Sequence, residues 1–236
     1  MATEIFTDIV ERFTELDHFR VVVFGASNTE RYMPCLHWAD VLEVGLRYRF
    51  GRKFQLINSG ISGNNTREAL DRFDQDVAFF KPACVVITFG GNDCNPNPPK
   101  WVGFVEFEKN LATIVNKVRE LGAIPILQTY YAVDHSEMDP RRADAFDENM
   151  LIIRKVARDN NVHLVDQNAL FEKAGVSYLR HKLLLNAMHV NELGNMLIGV
   201  ELLSHLGIDI ETMGEIDRVL PAIALHKRLT TSSAQG

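Results

Sequence analysis

Cysteine is scarce in this sequence, with three in 236 residues, at Cys35, Cys84 and Cys94. An odd number with no C-x-x-C pair argues against a disulfide framework and against a zinc site. All three are expected as reduced thiols in a cytoplasmic protein. No apolar run approaches the ~18 consecutive residues that span a bilayer, and the first 19 residues carry acids where a secretory leader carries bases. Membrane insertion is therefore not expected. Positive charge is also in short supply: Lys and Arg number 25 against 31 Asp and Glu, with no basic stripe. That removes the attraction on which nucleic-acid binding depends. G-x-G-x-x-G spacing is missing too, which places a nucleotide-binding protein behind other readings. Internal repeats, low-complexity blocks and linkers are lacking, so residues 1–236 read as one domain.

What is present fits a packed globule, because hydrophobic residues make up 46% and charged residues 24% of the chain. Apolar runs of strand length alternate with stretches of helical period, the pattern of an α/β fold with a parallel sheet. Five strands are expected: 20–25, 54–58, 83–89, 124–129 and 162–165. The third is nearly all apolar and so belongs at the sheet's centre. Helices are expected over about 2–17 (with Ile5, Ile9, Phe13 and Leu16 inward), 37–50, from Asn65, 104–121, 140–160, from Gln167, 191–206 and about 209–226. Asn65 with Glu68 spells a capping box, and Asp139-Pro140 an N-cap followed by proline at the first helical position. Residues 230–236 are small and polar and read as a frayed tail.

In open parallel sheets ligands bind outside the carboxyl ends of the strands, so the loops after strands one to three should share a rim. Those loops read Gly25-Ala26-Ser27-Asn28-Thr29, Ser59-Gly60-Ile61-Ser62-Gly63-Asn64-Asn65 and Gly90-Gly91-Asn92-Asp93. Each joins glycine, which lets backbone approach a ligand, to hydrogen-bonding side chains. A fourth block, Asn186-Ala187-Met188-His189, lies near the C-terminus.

These four blocks, in this order over residues 21–206, resemble the SGNH hydrolases, also called the GDSL-like lipase and acylhydrolase family. The resemblance implies a flavodoxin-like three-layer α/β/α sandwich around a five-stranded parallel sheet, and an esterase that uses no metal or organic cofactor. It implies Ser27 as nucleophile, His189 as general base, and an oxyanion hole built from Ser27, Gly63 and Asn92. Such chemistry suits these residue types, since a hydroxyl needs an adjacent near-neutral base and the developing oxyanion needs donors already aimed at it. The ligand implied is a small ester, with Asn28, Asn64 and Tyr32 as candidate substrate contacts; a homo-oligomer is left open.

Two positions depart from the family pattern. Ala26 stands where an aspartate usually precedes the nucleophile, and Asn186 stands where the triad aspartate belongs. An asparagine can serve if its carbonyl oxygen faces the histidine's Nδ1–H and its neighbours hold the amide that way round; a backbone carbonyl could orient His189 instead. The runner-up is accordingly a catalytically silent carbohydrate-binding protein on the same fold. Asp166 as a substitute acid is outweighed by its reading as a helix cap. His163 and Asp166 lack the further ligands a metal needs. Tyr32, Trp38, Trp101 and Tyr130 are candidates for an aromatic binding rim.

Overall fold

The computed structural model describes residues 4–31, 35–209 and 219–231. The chain begins with helix α1 (Thr7–Glu15), strand β1 (Phe19–Gly25), α2 (Trp38–Phe50), β2 (Phe54–Gly60), α3 (Thr66–Asp76) and β3 (Cys84–Thr88). It continues through α4 (Phe104–Glu120), β4 (Ile124–Gln128), α5 (Pro140–Asp159), β5 (His163–Val165), α6 (Gln167–Glu172) and the short α7 (Val176–Tyr178). A hairpin of β6 (Leu184–Asn186) and β7 (His189–Val190) precedes α8 (Glu192–His205) and α9 (Leu220–Thr231).

The five expected strands form one parallel sheet in the order β2-β1-β3-β4-β5. The chain steps to one side of β1 and then to the other, so helices are laid on both faces. One layer packs α2 on α8 and α8 on α9; the other packs α3 on α4 and α4 on α5. Every residue of β3 is buried, as a strand covered on both faces must be. In the register, Gly25 of β1 lies opposite Gly60 of β2 and Thr88 of β3, so three strands end level. Their loops therefore emerge at one place, beside the point where the strand order reverses.

Local signals fixed most helix starts. Asn65 Oδ1 accepts from Arg67 N–H and Glu68 N–H, and the Glu68 carboxylate returns to Asn65 N–H. Asp139, Asp166 and Asn191 cap α5, α6 and α8. Three expectations need correction. Phe6 (2% exposed), not Ile5 (50% exposed), enters the core, where it stacks between His163 and His205, and α1 is correspondingly shorter than expected. The last described helix runs from Leu220 to Thr231, past the expected end near 226 and into the expected tail; residues 210–218 and 232–236 of the expected helix and tail lie outside the described residues. The β6–β7 hairpin was not expected at all.

Candidate active site

The loop after β1 turns tightly, with Thr29 N–H and Glu30 N–H both donating to Ala26 O at 3.0 Å. Ala26 itself is buried, and Ser27 stands half-buried at the turn. The turn is braced from α2: Asn28 O accepts from Trp38 Nε1–H (2.6 Å) and from His37 Nε2–H (3.2 Å). His37 also caps α2, its Nδ1 accepting from Ala39 N–H at 3.2 Å. Burial pulls its pKa down to about 4, so the ring stays neutral and can accept at one nitrogen while donating at the other.

Ser27 Oγ lies 3.0 Å from His189 Nε2. On the far side of the ring, His189 Nδ1 lies 3.1 Å from Asn186 Oδ1. The same oxygen accepts from Met188 N–H and His189 N–H, each at 3.0 Å. Two backbone donors can only face an acceptor, so they set the Asn186 amide with its oxygen toward the ring. An oxygen there requires the proton on Nδ1 and leaves Nε2 bare, able to accept the Ser27 proton. Burial is the larger cause holding the His189 pKa below its usual value, and the positive charge of Arg142 is the second. The hairpin carrying this pair is pinned from the loop after β4, where Tyr131 Oη–H donates to Met188 O (2.7 Å) and Asp134 N–H to Ala187 O (3.0 Å).

An open cleft of about 580 Å³ is lined by Ser27, Gly63, Asn92, Asn186 and His189 among others. Four separate stretches of the sequence thus meet around one cleft. Gly63 sits at φ +78°, a conformation an L side chain rarely adopts, with its backbone facing the cleft. Asn92 Nδ2 donates to Asn64 O at 2.9 Å, using one of its two amide hydrogens. Gly91 allows the close approach of Tyr130, whose ring would lie 2.6 Å from any Cβ added there.

Of the expected contacts, Asn28 is buried (6% exposed), lines a small pocket with Ser27 and His189, and braces the turn through its backbone. Asn64 spends its side-chain oxygen on Arg72 Nε–H at 2.7 Å. Tyr32 lies outside the described residues. The aromatic rim is not formed as expected: Trp38 (1% exposed) is core, and Trp101 packs edge-to-face on Phe104. Tyr130 (3% exposed) touches the cleft only as part of its floor. Asp166 is paired with Arg154 at 2.7 Å and caps α6, and His163 is paired with Asp8 at 2.8 Å; among the described residues no cluster of His, Cys, Asp and Glu could hold a metal ion. Cys35, Cys84 and Cys94 are free thiols.

Several residues that shape the site were not singled out from sequence. Arg72 donates to Gly25 O (2.8 Å), Ser59 O (2.9 Å) and Asn64 Oδ1, tying the ends of β1 and β2 to the second loop. Its guanidinium lies over the Phe24 ring, with Asp76 as counter-charge. Asp93 is fully buried and accepts from Thr66 N–H (2.9 Å), Thr66 Oγ1–H (2.6 Å) and Gly90 N–H (3.2 Å), which fastens the third loop to α3. Burial pushes its carboxyl pKa up. Glu30 joins the first and second loops through Ser62 N–H (2.9 Å). Arg142 and Tyr131 come from the region after β4, which the strand-end rule also covers.

The comparisons with known proteins agree with this geometry. The model of the GDSL-like lipase/acylhydrolase family matches residues 23–197. An acetylxylan esterase of Geobacillus stearothermophilus is 28% identical over 194 residues, covering 79% of this chain and 84% of its own. The uncharacterized lipoprotein YqeF of Bacillus subtilis is 33% identical over 119 residues, 46% of this chain and 47% of its own. Among solved structures, LAE5, an alpha/beta hydrolase enzyme from the metagenome of Lake Arreo, superposes with a TM-score of 0.69 at 26% identity, covering 81% of this chain and 96% of LAE5. Catalytic mutants of the Geobacillus esterase replace a serine, a histidine, or an aspartate three residues before that histidine.

Proposed function

This chain belongs to the GDSL-like lipase/acylhydrolase family and is a carboxylic ester hydrolase, and from that premise we propose that it cleaves acetyl esters of carbohydrates through an acyl-enzyme on Ser27. Ser27 Oγ attacks the ester carbonyl carbon while its proton passes to His189 Nε2. The carbonyl oxygen, now negative, is held by the N–H groups of Ser27 and Gly63 and by the second amide hydrogen of Asn92. The tetrahedral species collapses, His189 returns the proton to the departing alcohol oxygen, and the acyl group stays on Ser27. Water then attacks with His189 again as base, releasing the carboxylic acid and restoring the serine.

The observation that carries this reading is the 3.0 Å contact of Ser27 Oγ with a nitrogen whose ring is held in the right tautomer by Asn186. Asn186 supports activity here because its oxygen has no freedom to turn away. The carbohydrate half of the reading rests on the Geobacillus relative and on an open cleft of about 580 Å³.

The test is hydrolysis of p-nitrophenyl acetate and acetate release from acetylated xylooligosaccharides, with Ser27→Ala as control and a fluorophosphonate probe to mark the nucleophile. The expected result is a single adduct on Ser27 and loss of both activities in the variant. Background hydrolysis without an adduct would sink the reading, and a melting-temperature rise with xylooligosaccharides in that case would point to the silent binder.

A further inference from the structure

Among the described residues that line the cleft Arg142 is the one with a full charge; the Glu30 carboxylate lines the small pocket beside it, with Ser27 and His189, and is engaged by Ser62 N–H. Arg142 lies in the first turn of α5 and donates through Nη2 to Gly91 O at 3.1 Å, beside the third loop. Among the described residues no carboxylate stands at ion-pair distance from it. The acids of the flanking segments are engaged elsewhere: Asp139 with Arg141, Asp134 with Arg180, and Asp93 with Thr66 and Gly90. Nη2 is held by Gly91 O, Nε is buried without a hydrogen-bond partner, and the buried Cys94 thiol lies against the same side chain, so the guanidinium is fixed in place by neutral groups. A permanent cation is thus held a short way from the nucleophile without a counter-ion of its own. The chain bears a net charge of −6, so a negative ligand meets attraction here against repulsion from the molecule as a whole.

We propose that this cleft selects esters that carry an anionic group, a carboxylate above all, near the scissile bond, with Arg142 as the counter-charge. The proposal rests on the esterase reading and narrows its substrate class. A guanidinium pairs a carboxylate by charge-assisted hydrogen bonds, which a neutral ester cannot offer. A role confined to the oxyanion or to the Gly91 loop predicts something different, because it would help neutral and anionic esters equally.

The experiment compares two matched pairs of esters, each normalised to its rate of alkaline hydrolysis. In one pair the charge is on the alcohol half, 4-acetoxybenzoate against its methyl ester. In the other it is on the acyl half, mono-4-nitrophenyl succinate against 4-nitrophenyl butyrate. In the wild type the anionic member of one pair should have a kcat/KM about tenfold to hundredfold higher, the range of a charge-assisted contact. That preference should shrink with added salt and fall to about one in Arg142→Gln, while Arg142→Lys keeps part of it. Taking a ratio within each variant cancels any general loss of activity, and the salt series on the wild type needs no variant to fold. A ratio at or below one in both pairs, or one that Arg142→Gln leaves unchanged, overturns the proposal while neutral-ester hydrolysis still stands. If neither pair is hydrolysed and Ser27 takes no probe, the esterase reading and this proposal fall together.

Discussion

Replacing Asn186 by aspartate tests how the general base is oriented. In a serine-protease triad, asparagine in place of aspartate lowers kcat about 10⁴-fold because the imidazole is held in the wrong tautomer. Here two backbone N–H groups already turn the Asn186 oxygen toward Nδ1, so the tautomer contributes no penalty. What aspartate would add is charge alone. Two unit charges ~4 Å apart interact by about 4 kcal/mol at an effective dielectric of ~20. Asn186 is exposed, and solvent screening reduces that to about 1–2 kcal/mol. Asn186→Asp should therefore raise kcat/KM roughly five- to thirtyfold, at 1.36 kcal/mol per decade. It should also raise the His189 pKa, because a negative neighbour favours imidazolium, so the acid limb of the pH profile moves to higher pH. Asn186→Ala should lower kcat/KM roughly tenfold, the loss of about one hydrogen bond's worth of orientation. Steady-state kinetics on p-nitrophenyl acetate across the pH range measures all three. A gain near 10⁴ in the aspartate variant would show that the wild-type ring is in the wrong tautomer; a loss would show that the contact does not serve the reaction.

Three further outcomes follow from the same geometry. Asn92→Ala should lower kcat about 10²- to 10³-fold with little change in KM, as loss of one oxyanion donor does; an equal fall in affinity would instead make Asn92 a ground-state contact. The acid limb of wild-type kcat/KM should lie below the usual histidine value of ~6.5, since burial and then Arg142 disfavour the imidazolium form. Removing the cation in Arg142→Gln should move that limb to higher pH, and a limb that stays put would mean its charge is not felt at His189. Arg72→Met should lower kcat roughly tenfold or more by releasing Gly25, Ser59 and Asn64 together, because small displacements near the reacting atoms are expensive. A thermal melt separates that loss from unfolding, and Arg72→Lys, unable to make the forked contacts, should recover only part of it.

The centre of the sheet was legible because β1 and β3 are buried almost throughout and so appear as unbroken apolar runs. Val21–Phe24 and Val85–Ile87 are buried at every position. Caps were legible for a related reason: Asn65 with Glu68 and Asp139 with Pro140 act over three residues, within reach of a local reading. His37 caps α2 as well and was not singled out, because histidine is not among the residues that usually cap a helix; here burial lowers its pKa and leaves Nδ1 free to accept. What local patterns cannot carry is which way a side chain faces across the fold. Trp38 and Tyr130 near the strand ends suggested a rim, yet both are needed as filler beneath the loops. Arg72 and Arg142 have no spacing that links them to Ser27, since their partners are backbone carbonyls from other loops.

The last block shows why an asparagine can stand where an acid is usual. Asn186 and His189 are partners across the β6–β7 hairpin, and the Asn186 oxygen closes the turn by accepting from Met188 N–H and His189 N–H. An aspartate makes the same turn with the same atom, so the backbone is indifferent to which of the two is present. The difference falls on the imidazole alone, which keeps its tautomer and loses a neighbouring negative charge. With Arg142 adding positive charge nearby, His189 is set as a weaker base than a full triad would give, neutral further into acid. Among the described residues the cleft lining then holds no carboxylate, which is the setting the proposed anionic ester requires, while Glu30 lies in the small pocket beside it. A base weakened at Asn186 and a cation kept unpaired at Arg142 are thus two consequences of one charge balance, and restoring the acid at position 186 should reduce the preference for anionic esters as it raises the rate on neutral ones.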